Sequence, residues 1–328
     1  MTRRATNRQL FALASSPAQS LTIADARYRL VRVFKHDFFA ATSLYEAVGP
    51  AEVPRVVVKM YRQQGFCGLG LAWLGRASRD HEQAIYRALA GVEGVPRLLG
   101  PVGSTGLAIQ YIDAQPLDRY GWHGHASAVC EHGREDSGWH GHPRLLGWPC
   151  SSQASCASMV TANSTDDHAT PALPLPAGSF ERLRALLEAV HARGVAYVDF
   201  NKRSNILIDA AGRPWLIDFQ IALRRRDDLP WPLRLMLAAV VAYLQDKDLY
   251  HLYKHKRRLA RQELTDQEEA LSRRRGGWHG IHRALTKPYR SLRRLFLRRQ
   301  YQSGRLVSPT AGLEDHCQPE KQTWRKGG

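Results

Sequence analysis

In the stretch VAYVDFNKRSNILIDAAGRPWLIDFQIAL, Asp199 is followed by Asn205 and then, after a short second apolar run, by Asp218. A carboxylate beside a hydroxyl can accept or orient its proton. An amide oxygen with a second carboxylate can hold the divalent cation that bridges nucleotide phosphates. In this order the three residues suit phosphoryl transfer to a hydroxyl, with Asp199 as the base and Asn205 and Asp218 as metal ligands. Taken singly, each is also an ordinary turn or strand-end residue. Their placement around the apolar runs 206–208 and 215–217, which would hold Asn205 and Asp218 at adjacent strand ends facing one cleft, is what points to chemistry.

The elements that must position them can be read from the hydrophobic pattern. YRLVRVF, ATSLYEAV and RVVVKMY, between Tyr28 and Tyr61, predict three antiparallel strands. SRDHEQAIYRALAGV predicts a helix after the third strand, with Ile85, Leu89 and Val92 on one face and its end near Gly94 and Pro96. GLAIQYI predicts a further strand that runs into a polar connector. GSFERLRALLEAVHARG predicts a helix capped by Ser179 and closed by Gly194. NILID and PWLID predict a hairpin around AAGR. The apolar run 235–244 is too short for the roughly 20 residues of a membrane span and predicts a buried helix. The expected organisation is a flexible segment 1–21, a small lobe with connector 22–116, an insertion 117–176 rich in His, Cys and Ser and without regular structure, a second lobe with basic helices 177–302, and a disordered tail 303–328.

The stretch around Asp199, Asn205 and Asp218 resembles the catalytic loop and metal-binding segment of the protein-kinase-like superfamily. It is most similar to the small bacterial lipopolysaccharide (Kdo and heptose) kinases and to RIO and Bud32-type kinases. The resemblance covers roughly residues 28–225 without the insertion. It implies an α+β two-lobe fold, with a small antiparallel sheet and one helix in the first lobe and a mostly helical second lobe. It further implies ATP with Mg²⁺ or Mn²⁺ between the lobes, and phosphate transfer to an alcohol. A lysine on the third strand and a glutamate on the following helix are expected from it. Lys59 closes VVVK, and Glu82 is its expected partner, with Asp80 and Glu93 as alternatives. Lys202, inside the loop, would neutralise the transferring phosphate. The backbone of Gln110, Tyr111 and Ile112 falls where the family meets adenine.

The chain also departs from the family pattern. FKHDFFAATS replaces a glycine-rich loop between the first two strands, so Lys35, His36 and Thr42 are candidates for side-chain contacts to phosphate, while Phe38 and Phe39 either cover the nucleotide or pack on the lobe. Tyr197 stands where the family often has histidine, and Gln220 where the metal-binding segment has glycine. No Ala-Pro-Glu motif follows, so control by an activation loop is not expected.

A net charge of +17 over 328 residues favours polyanionic partners, and it does not choose among nucleotides, nucleic acid and anionic lipid. The five scattered cysteines, 67, 130, 150, 156 and 317, argue against a disulfide framework, and with no signal peptide read at the N-terminus a cytoplasmic protein is expected, peripheral at most. GWHGH at Gly121 and again at Gly138, with Cys130, Cys150 and Cys156, supplies ligand types for zinc in a spacing that matches no finger. YRSLRRLFLRRQY predicts a basic amphipathic helix that either packs its apolar stripe in the second lobe with arginine stems around it or lies on an anionic membrane surface, and no specific nucleic acid is expected. The acceptor expected from these residues is an envelope glycolipid sugar or a protein Ser or Thr. Two other readings stay open: a catalytically silent nucleotide binder of the same fold, and a basic RNA- or membrane-binding module.

Overall fold

The computed structural model describes residues 9–66, 68–121, 173–273 and residue 310. Residues 122–172 of the insertion, with its His and Cys candidates, the basic run near residues 289–301 and the C-terminal tail lie outside the described residues, apart from Thr310, while 117–119 form a short 3-10 helix with Leu117 buried.

The first lobe is built on an antiparallel sheet of six strands in the order β1-β2-β3-β4-β6-β5. They are β1 (Ser20–Ile23), β2 (Ala26–His36), β3 (Ala40–Ala47), β4 (Arg55–Tyr61), β5 (Leu98–Val102) and β6 (Gly106–Gln110). The three strands expected between Tyr28 and Tyr61 are β2, β3 and β4. The short edge strands β1 and β5 carried no usable pattern. LLGPV contains a glycine and a proline that argue against a strand, and the sheet accepts them because β5 sits at its edge.

Alternation in β4 sends Val56 and Val58 into a core with Tyr28, Val33, Tyr45 and Ala108 on one face. Val57, Lys59 and Tyr61 share the other face, towards helix α1 (Ala72–Ala88). This helix begins well before the expected Ser78, so Glu82 is its eleventh residue and not part of a first turn. A favourable helix-dipole position therefore does not account for Glu82.

The chain leaves β6 for β7 (Ala114–Pro116), which pairs with β9 (Ile206–Asp209), itself in a hairpin with β10 (Pro214–Leu216). β8 (Val195–Ala196) pairs with β11 (Leu223–Arg224), so the segments carrying Asp199 and Asp218 are pinned at both ends. Asp209 organises the hairpin turn, accepting the N–H groups of Ala211 and Arg213 at 2.9 Å each.

Helices α2 (Ser179–Ala192), α3 (Trp231–Leu259) and α4 (Asp266–Arg273) complete the second lobe. Leu183, Leu186, Leu187 and Val190 of α2 join one core with Tyr61, Ile85 and Leu107 of the first lobe. Ser179 does not cap α2: it is the first helical residue, and its hydroxyl donates to the Pro176 carbonyl at 2.5 Å, while left-handed Gly178 (φ +69°) takes the cap position. Gly194 (φ +68°) closes the helix as expected.

The expected buried helix over 235–244 is corrected more deeply. α3 runs 29 residues, but apart from Val241 its buried positions begin at Asp248, and the apolar stretch before it faces solvent. An apolar run identifies side chains that prefer burial; whether a neighbour covers them is decided by the rest of the fold. Among the described residues, no helix is long and apolar enough to cross a membrane.

Candidate active site

Lys59 lies at the meeting point of the lobes. Its Nζ donates to Glu82 Oε1 and to Asp218 Oδ1, each at 2.7 Å. Lys59 and Glu82 are 8% and 0% exposed, so the ammonium is held by two carboxylates away from bulk water. Tyr61, two residues along the same face of β4, donates its hydroxyl to Glu82 Oε2. Burial alone would lower the Lys59 pKa, but the charges of Asp218 and Glu82 outweigh it and raise the pKa, keeping the lysine charged. Lys59 in turn holds Asp218 below the usual carboxylate range, with Lys202 and Lys35 adding to the effect. Asp80 pairs instead with Arg79 at 2.7 Å, at the surface.

Asp199 faces this group from the loop after β8. Its Oδ2 accepts from Lys202 Nζ at 2.5 Å and from Asn205 Nδ2 at 2.9 Å. Burial raises its pKa against the pull of Lys202, and the Asp218 charge raises it further. A carboxylate of raised basicity beside an ammonium suits a proton acceptor. Asn205 directly precedes β9 and Asp218 closely follows β10, and the two strand ends are tied by the Ile217 N–H donating to the Asn205 carbonyl at 3.1 Å.

Two residues here hold positive φ without being glycine: Val198 (+70°) and Asp218 (+64°). For a β-branched residue this costs about 1–3 kcal/mol and requires support from its surroundings. Asp248, fully buried on α3, provides it. Its Oδ2 accepts from Tyr197 N at 2.7 Å and its Oδ1 from Val198 N at 2.9 Å, while His191 Nε2 lies 3.2 Å from Oδ2. No motif announced Asp248, one of two acids, with Asp246, in an otherwise apolar and basic helix.

Tyr197, at the position where a histidine was expected, is fully buried, and its hydroxyl donates to the carbonyl of Ile217, the residue before Asp218. Its ring meets Phe219 edge-on at 5.1 Å, and Phe219 meets Tyr86 of α1 at 5.2 Å. A column of aromatic rings therefore joins the Glu82 helix, the Asp218 segment and the Asp199 loop. His81, also on α1, reaches the Ala222 carbonyl at 2.9 Å.

The turn without glycine is pinned in place. Arg62, 1% exposed, donates to the carbonyls of Phe38 (2.8 Å), Gln9 (2.6 Å) and Gly65 (3.1 Å), and its guanidinium lies 3.7 Å from the centre of the Phe38 ring. Phe38 thus packs on the lobe, edge-on to Phe39 and Phe66. His36 is buried, with Nε2 3.2 Å from the Leu13 N–H and Nδ1 3.2 Å from the Thr310 hydroxyl, and so turns towards the N-terminal segment and not the cleft. Of the connector residues, Gln110 donates its N–H to Arg97 and Tyr111 to Arg55, at 2.8 and 3.1 Å. Among the described residues this leaves Ile112 as the one of the three whose N–H has no partner for which an adenine edge would have to compete.

Asn205 uses its amide nitrogen on Asp199, which leaves its oxygen as a donor atom, and Asp218 retains an oxygen beyond the one held by Lys59. Two hard oxygen ligands fit a small hard cation that completes its shell with water and phosphate oxygens, as Mg²⁺ or Mn²⁺ does. Among the described residues, no group of three or more His, Cys, Asp and Glu side chains converges into a metal cluster independent of a nucleotide.

No protein-family model and no curated protein sequence matches the chain. Among solved structures, the chain is similar to the Rio2 kinase–ADP/Mg²⁺–phosphoaspartate complex from Chaetomium thermophilum, at 16% identity over 72% of this chain and with a TM-score of 0.43. It is also similar to the Rio2 kinase from the same organism, at 17% identity over 70% of this chain and with a TM-score of 0.40. The chain spans 57% of the length of each of these structures.

Proposed function

We propose that the chain is a phosphotransferase of the protein-kinase-like superfamily that moves the γ-phosphate of ATP to a hydroxyl. The observation that supports this best is the Lys59 ammonium, held between Glu82 and Asp218 at 2.7 Å each, opposite Asp199 with its partners Lys202 and Asn205. In this reading Lys59, fixed by Glu82, binds the α and β phosphates and limits their motion. Asp199 accepts the proton of the acceptor hydroxyl, and Lys202 offsets charge on the transferring group. The Ile112 amide, next to Gln110 and Tyr111, is left to meet the adenine edge. A divalent cation held by Asn205 and Asp218 would neutralise phosphate charge. The pinned β2–β3 turn leaves phosphate contacts to side chains, Lys35 among them.

The acceptor is a hydroxyl either of an envelope glycolipid sugar or of a protein Ser or Thr, met in the cytoplasm. ATP hydrolysis and autophosphorylation with Mg²⁺ or Mn²⁺, compared between the wild type and Asp218→Ala, test the chemistry; equal signals from both would overturn it. Offering lipopolysaccharide and generic protein substrates side by side then separates the acceptors.

A further inference from the structure

The first half of α3 shows an inverted polarity. Trp231, Leu233, Leu235, Met236, Val240 and Tyr243 are each 42–67% exposed. At 3.6 residues per turn these six spread over about 200° of the helix circumference. Across residues 231–245 the one charged side chain is Arg234. Soluble proteins rarely leave so continuous an apolar surface in water without a use for it.

We propose that this end of α3 is a docking surface for an anionic lipid bilayer, on which it lies without crossing. Three observations select that occupant. First, a single protein helix covers a stripe about 100° wide, whereas an acyl and headgroup boundary conforms to a wider arc. Second, basic residues flank the surface in sequence: Arg224, Arg225 and Arg226 precede the helix and Arg234 lies within its first turn. Asp227 and Asp228 lie between them and exposed Asp246 lies beyond Tyr243, next to Lys247; Asp228 is paired with Arg226 at 2.6 Å, and the flanking groups keep a net positive charge within a chain of charge +17. Third, aromatic residues of mixed polarity mark both ends of the surface: Trp231, and Tyr243 with the Lys247 ammonium 5.1 Å from its ring centre. This surface is distinct from the basic helix expected beyond residue 288, and its occupancy does not depend on the phosphotransfer chemistry.

The test uses the full chain and vesicles of phosphatidylcholine with or without one third phosphatidylglycerol. Sedimentation with the anionic vesicles is expected, weaker at 0.5 M NaCl because surface charges are then screened. The double substitution Leu235→Glu with Met236→Glu should lower the vesicle partition coefficient on the order of 100-fold, with circular dichroism and ATP hydrolysis unchanged, since both positions are exposed. Brominated acyl chains should quench the wild-type tryptophan fluorescence, and Trp231→Phe should remove most of that quenching. Wild-type partitioning of the double variant would overturn the proposal. So would a wild-type protein that ignores vesicles but forms a dimer which the double variant dissociates, since the surface would then belong to a second copy.

Discussion

Replacing Asp248 with Asn preserves shape and changes one acceptor into a donor. Both carboxylate oxygens are in use: Oδ2 takes Tyr197 N at 2.7 Å and lies near His191, and Oδ1 takes Val198 N at 2.9 Å. Whichever way the new amide turns, its NH₂ confronts at least one backbone N–H in a site with no solvent exposure. A buried donor left without a partner costs about 1–3 kcal/mol, and the surviving bond loses its charged acceptor, for a total of about 3 kcal/mol of stability. A second effect acts on turnover. Val198 at φ +70° stores about 1–3 kcal/mol that Asp248 offsets. Once that support is gone, the loop relaxes, and the fraction of molecules with Asp199 in place falls about 10- to 100-fold. Urea denaturation should therefore show a lower midpoint, and kcat should fall by that factor. Nucleotide affinity, which the proposed function assigns to Lys59 and Glu82, should change less than about threefold. An Asp248→Asn protein with the wild-type midpoint and kcat would refute the account.

Further expectations follow from the same geometry. Glu82→Gln leaves Lys59 on Asp218 alone and should weaken nucleotide binding about tenfold, measured by titration with a fluorescent ATP analogue. Gly75→Ala should destabilise by about 2 kcal/mol or more in urea, although Ala is the better helix former, because its Cβ would lie 2.0 Å from the Arg62 carbonyl oxygen. Burial pushes the His255 pKa from 6.5 down to about 4, its Nε2–H donating to the Phe200 carbonyl. The unfolded chain then binds the extra proton in this window, so stability should fall by about 3 kcal/mol as pH drops through it, and His255→Gln should flatten that slope. With the Asp199 pKa raised by burial, the acid limb of kcat should lie above the ordinary Asp value of 3.8. It should move higher still in Lys202→Met, which removes a group that lowers that pKa; an unmoved limb would exclude Asp199 as the titrating base.

The site was legible in the sequence where local pattern and chemistry coincide. VVVK places Lys59 on a definite face of a strand, and the two apolar runs around AAGR bring Asn205 and Asp218 to neighbouring strand ends through a hairpin whose turn Asp209 organises. Glu82 was expected from the family resemblance and preferred to Asp80 and Glu93 for its place on the helix, although the helix starts six residues earlier than the Ser78 read from the pattern. Asp248 was not legible, because its partners lie about 50 residues away and a helix periodicity says nothing of what a buried carboxylate will meet. Arg62 was hidden for a similar reason: of its four carbonyl partners, Gln9, Phe11 and Phe38 lie 24 to 53 residues away and Gly65 alone is local. The edge strand β5 was masked by Gly100 and Pro101, which penalise an interior strand and are tolerated at a sheet edge. The apolar start of α3 was misjudged because hydrophobicity reports a preference for burial and not the presence of a covering surface.

α3 carries two features at once. Trp231 and Asp248 stand 17 residues apart on one uninterrupted helix, about 26 Å along its axis. The helix therefore joins an exposed apolar outer end to an inner end that clamps Val198 beside Asp199. If the outer end docks on a bilayer as proposed, the helix that clamps Val198 would be held at both ends. Turnover measured with and without anionic vesicles would then read whether holding that end reaches the Asp199 loop, without a dedicated switch.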